Sequence, residues 1–61
     1  MFRLDIYITK KGNPVRVKNV KKDIPTWAEA ERLCIQKNKD LGVPKDLGVS
    51  PGQRYAMFDS Q

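Results

Sequence analysis

A chain of 61 residues, 39% of them hydrophobic, with a net charge of +5, has the size of one small domain. It contains no histidine and a single cysteine, Cys34, which excludes an internal disulfide and a Cys/His zinc site within one chain. No apolar run approaches the ~18 residues of a membrane span, and no apolar segment follows a basic start, so a cytoplasmic product without membrane association is expected.

The charge is unevenly placed. Residues 1–22 hold Arg3, Lys10, Lys11, Arg16, Lys18, Lys21 and Lys22 against Asp5 alone, a surplus of +6, whereas five basic and six acidic residues follow. A local surplus of this kind suits an anionic partner, either nucleic acid or an acidic protein surface, although net charge also serves plain solubility. A domain this short buries only about 60% of the surface its unfolded chain exposes. Pairing of two copies is one way to make up the deficit.

The first element is FRLDIYIT, where Phe2, Leu4, Ile6 and Ile8 alternate with Arg3, Asp5, Tyr7 and Thr9. Period two with β-branched residues predicts a half-buried strand. VRVKNV alternates again, and Gly12-Asn13 between the two strands reads as a two-residue hairpin turn, since glycine accepts the positive φ required. That turn sets Ile8 opposite Val17, Tyr7 opposite Lys18 and Asp5 opposite Val20. Asn19, facing Ile6, is then the point where pairing frays. The hairpin is expected over residues 2–20, with a break at Asp23 to Pro25.

Thr26-Trp27-Ala28-Glu29 has the form of a capping box and opens a helix predicted over 26–41. At about 100° per residue, Trp27, Ala30, Leu33, Cys34 and Leu41 form its apolar stripe, with Ile35 on a flank. A pentapeptide, KDLGV, then occurs twice around Pro44. In the first copy Gly42 suits the left-handed position that ends a helix, and Pro44 bars continuation. In the second, Pro44 can start a short turn that Gly48 ends. The repeat, inside a loop over 42–52, thus reads as a helix stop written twice.

QRYAMFD, residues 53–59, is a third strand by composition. The expected fold is an α+β single domain over 1–61, a small ββαβ unit. Its three-stranded antiparallel sheet has the order 2-1-3, with one helix on one face. Either Tyr55 and Met57 or Ala56 and Phe58 then point inward, and the other pair joins Tyr7, Arg3, Arg16 and Lys18 on the bare face.

Catalysis is not expected. General acid–base chemistry needs a titrating group held in a pocket, histidine is absent, Cys34 lies on the apolar stripe, and the acids are scattered. No metal set, phosphate loop or cofactor motif is present. The expected function is that of a small non-catalytic nucleic-acid-binding protein. Lys10, Lys11, Lys18, Lys21 and Lys22 meet phosphates, and Arg16 and Tyr7, with Arg3 beside them, meet bases or a groove. The alternative is a protein-binding regulator, an inhibitor or adaptor of the mobile-element or phage type, using the bare face or a sheet edge. A homodimer through the same face is the third expectation.

Overall fold

In a computed structural model, whose described residues are 1–44 and 52–61, the chain forms β1 (Phe2–Lys10), β2 (Asn13–Ile24), α1 (Trp27–Asp40) and β3 (Arg54–Ser60). The strands make one antiparallel sheet in the order β2-β1-β3, and α1 packs on one face, as the sequence predicts. Leu4, Ile24, Ala30, Cys34 and Ala56 form the buried cluster, with Phe2, Leu33 and Phe58 partly buried against it. The helix presents small residues, Ala30 and Cys34, at its closest approach, and this lets it lie near Ala56 and Leu4. Trp27 is only at the margin. It is 55% exposed, with its ring edge-on to Phe58 at 5.6 Å, and Phe58 in turn meets Phe2 at 6.4 Å. Ile35, on the flank of the stripe, is exposed. No helix among the described residues is long and apolar enough to cross a membrane.

The hairpin register differs from the expected one. Lys10 faces Asn13, Ile8 faces Val15 and Tyr7 faces Arg16, so the turn is Lys11-Gly12, with φ of 51° and 79°. The reason lies in Pro14. A two-residue turn at Gly12-Asn13 needs an N–H on residue 14 to close it, and proline has none. Moving the turn back by one residue gives the closing position to Asn13 and puts Pro14 opposite Thr9. Farther along, the twelve residues of β2 run beside nine of β1, and the register slips three times. Each slip is a bulge, which bends the strand and adds twist. The shifted turn and the first of these slips, between Tyr7 and Ile6, together move Asn19 from Ile6 to Asp5 and Lys18 from Tyr7 to Ile6.

The third bulge also overturns the expected break at Asp23. Asp23 takes a φ of 57°, and β2 continues to Ile24, which pairs with Phe2 and is fully buried. Gln61 holds this corner from across the sheet. Its Oε1 accepts from the Asp23 N–H, its Nε2 donates to Asp23 Oδ1 at 2.9 Å, and its own N–H donates to the Met1 carbonyl.

At the helix start, Thr26 Oγ1 accepts from the Glu29 N–H at 3.2 Å. The Glu29 carboxylate lies 4.0 Å from Arg32 instead of turning back, so only half of the capping box forms. At the other end, Val43 N–H donates to the Asn38 carbonyl and Gly42 N–H to that of Lys39, with Gly42 at φ 75°. This pair of bonds is a Schellman stop, and it accounts for the first copy of the repeat. The second copy, Lys45 to Val49, lies outside the described residues. A Cβ at Gly42 would meet nothing within 4 Å, so any cost of adding one is in the backbone alone. Gly42→Ala is therefore expected to destabilise by about 1 kcal/mol, read as a lower thermal midpoint with unchanged circular dichroism at low temperature.

Candidate functional site

Of the two sheet faces, the one that α1 does not cover carries the odd-numbered side chains of β1: Arg3, Asp5, Tyr7 and Thr9. Opposed residues share a face. Asn19 and Arg16 of β2 therefore lie beside Asp5 and Tyr7, while Asp59, Met57 and Tyr55 of β3 lie beside Arg3, Asp5 and Tyr7. The structure thus settles the orientation of the third strand: Ala56 and Phe58 turn to the core, and Tyr55 and Met57 turn outward.

Asp5, at the centre of this face, is only 2% exposed. Arg3 grips it with two bonds, Nε to Oδ2 at 2.9 Å and Nη2 to Oδ1 at 3.1 Å, and Asn19 Nδ2 donates to Oδ1 at 2.9 Å. The same Asn19 amide lies 3.3 Å from the carbonyls of Leu4 and Lys21. The residue expected to fray the hairpin is thus one that pins it, because the bulges bring it to a carboxylate and not to Ile6. Loss of hydration pushes the Asp5 carboxyl up. Hydrogen bonds from Arg3 and Asn19, with the Arg3 and Arg16 charges, outweigh this and hold it below the ordinary carboxylate range. The Arg3 guanidinium is raised in turn, chiefly by its bond to Asp5. Its charge is therefore already answered within the sheet.

Toward the hairpin turn the same face changes character. Tyr7 and Tyr55 lie side by side, ring centroids 6.1 Å apart and planes 26° from parallel. Arg16 flanks Tyr7 on the far side, and Lys10 and Lys11 follow at the turn, all three exposed. Among the described residues ion pairs are confined to Arg3–Asp5 and Arg32–Glu29, so these cations have no carboxylate partner there.

The eight residues proposed from the sequence therefore divide. Arg3, Tyr7 and Arg16 share the open face, with Arg3 bound to Asp5. Lys10 and Lys11 lie at the turn that bounds this face, Lys10 in phase with the helix-side set of β1. Lys18 and Lys21 pair with Ile6 and Leu4, which directs them to the helix side, where Lys21 borders a shallow groove with Val20, Leu33 and Lys37. Lys22 falls in the third bulge.

On the helix side, Asn38 has a role that alternation and helical periodicity do not reveal. Its Oδ1 accepts from the Ala56 N–H, and its Nδ2 donates to the Ala56 carbonyl at 3.1 Å. One amide side chain thus takes both outward backbone groups in the middle of edge strand β3. Cys34 Sγ also donates to the Ala56 carbonyl, at 3.3 Å. Burial pushes this thiol up, and the Phe58 backbone opposes that only in part. A buried, protonated thiol is a weak nucleophile.

Compared with protein-family models, with curated proteins and with solved structures, the chain finds no match.

Proposed function

We infer that this is a small non-catalytic nucleic-acid-binding protein, acting through the turn end of its open sheet face. The observation that carries the reading is the juxtaposition of cations that have no ion-pair partner among the described residues, Arg16, Lys10 and Lys11, with the adjoining Tyr7 and Tyr55 rings. Cations without protein partners suit phosphates, and rings on a flat surface suit bases. Lys18 and Lys21 line the other side of β2, and with Lys22 they add to the field around it. Binding of a labelled mixed-sequence oligonucleotide, followed by anisotropy, is expected to weaken steeply with salt. Replacing both Lys10 and Lys11 by glutamine should lower the slope of log K against log salt by about 2, roughly one for each phosphate no longer neutralised. Absent binding, or binding indifferent to salt, would overturn the reading.

One observation favours a protein partner instead. Met57, 42% exposed, extends the apolar surface from Tyr55, and Tyr, Met and Arg are enriched at protein interfaces. Such a partner would use the face, since Asn38 occupies the middle of the β3 edge and three bulges break the β2 edge. For that partner, Tyr7→Ala should abolish binding, and charge reversal at Lys21 and Lys22 should matter less. For nucleic acid both changes should weaken binding, since Tyr7 offers a ring to a base and the lysines add to the field.

A further inference from the structure

Arg16, Tyr7 and Tyr55 are successive neighbours across all three strands, one residue from each. With strands about 4.8 Å apart, they form a row that crosses the face. The two rings are nearly parallel and partly exposed, and Met57 continues their apolar surface along β3. The carboxylate nearest the row, Asp5, is already held by Arg3, Asn19 and the Arg16 charge. Asp59 lies farther off, opposite Arg3. No unanswered negative charge of β1 or β2 therefore adjoins the rings.

These features discriminate between forms of nucleic acid. A duplex keeps its base faces inside the stack and offers only edges and phosphates. Rings fixed in a sheet face cannot lie against bases that are already stacked. A single strand can splay its bases, and every base has a face to lay on a ring. We propose that the Arg16–Tyr7–Tyr55 row is a stacking ledge for single-stranded nucleic acid. One base lies against each ring, and the phosphates run past Arg16 toward the Lys10–Lys11 turn. This rests on the nucleic-acid reading above and narrows it to one strand form.

The test compares three probes of about a dozen nucleotides, within the usual range of site sizes: a thymidine strand, an abasic strand of equal charge, and a duplex. The thymidine strand is expected to bind roughly a hundredfold more tightly than either of the others, about tenfold for each ring. Tyr55→Leu should remove that ring's share of the margin, about tenfold, and leave the affinity for the abasic strand unchanged. Tyr55→Phe, which keeps the ring, should restore it, and Tyr7→Leu on top of Tyr55→Leu should remove the rest. Equal affinity for all three probes, or preference for the duplex, overturns the ledge and leaves the wider reading standing. Failure of all three probes to bind overturns both. Circular dichroism of each variant excludes misfolding as the cause of any loss.

Discussion

Asn38→Leu is expected to lower stability by about 2 kcal/mol, the cost of leaving a buried backbone donor without a partner. The substitution keeps the side-chain size and replaces a mediocre helix former with a good one, so local propensity works slightly against the predicted loss. What is removed is the acceptor for the Ala56 N–H. Ala56 is fully buried, so water cannot take that place. Its carbonyl fares better, because Cys34 Sγ still donates to it. Cys34→Ala on top of Asn38→Leu should therefore cost more than the two single changes added together, since each thiol or amide covers for the other. Gln36→Ala is the control on the same helix. It loses only an exposed bond to Asp40 and should change stability by less than about 0.5 kcal/mol. Urea titrations followed by circular dichroism measure the parent and the four variants. A small single domain has only a few kcal/mol in hand, so the loss at Asn38 should appear as a large fall in midpoint.

Asn38 also shows where the sequence was silent. Its place in a helix was plain, but an amide on a half-polar face carries no mark of the strand groups it will meet. The element order, the sheet order, the helix stop at Gly42 and the alternation in β1 all follow from local chemistry and were legible. The register was not. It depends on three surplus residues in β2, and bulges leave little trace in composition; only Pro14, which cannot close the turn, gave a usable warning. Val15 and Val17 alternate as though they faced a core, yet they are 41% and 47% exposed, because α1 packs over β1 and β3 and scarcely reaches β2. Ile24, beyond an Asp that resembled a strand end, is the residue that does reach the core. On the candidate face, Tyr7 and Arg16 were within reach of alternation alone, whereas the direction of Tyr55 stayed open until Ala56 and Phe58 were seen in the core. The seating of Asp5 was not, because Asn19 arrives there only through the bulges.

That seating makes acid stability depend on Arg3, with a sign that can be worked out. Asp5 has a folded-state pKa below its unfolded value. The unfolded chain therefore binds more protons as pH falls through the carboxylate range, and the carboxylate's stabilisation, complete above about pH 5, is lost as pH drops toward and below the usual value near 3.9. In Arg3→Leu the two guanidinium bonds vanish while the burial remains. Loss of hydration, already the largest single influence on Asp5, is then opposed only by Asn19 and the more distant Arg16 charge, and the carboxyl rises relative to the parent's. The folded variant therefore takes up this proton at higher pH than the folded parent, so its stability should fall less than the parent's as pH drops through the carboxylate range. Asp59, opposite the lost Arg3, adds negative charge nearby and pushes in the same direction. The double variant Arg3→Leu, Asp5→Leu removes both charges and should flatten this part of the profile. It should also recover much of the stability lost at neutral pH, since a buried pair replaced by apolar side chains is often tolerated where a stranded charge is not. Denaturant midpoints of the three proteins at pH 7, 5 and 4 decide the matter. Parallel profiles for parent and Arg3→Leu would show that Asp5 is hydrated on that face and that the guanidinium does not govern its titration.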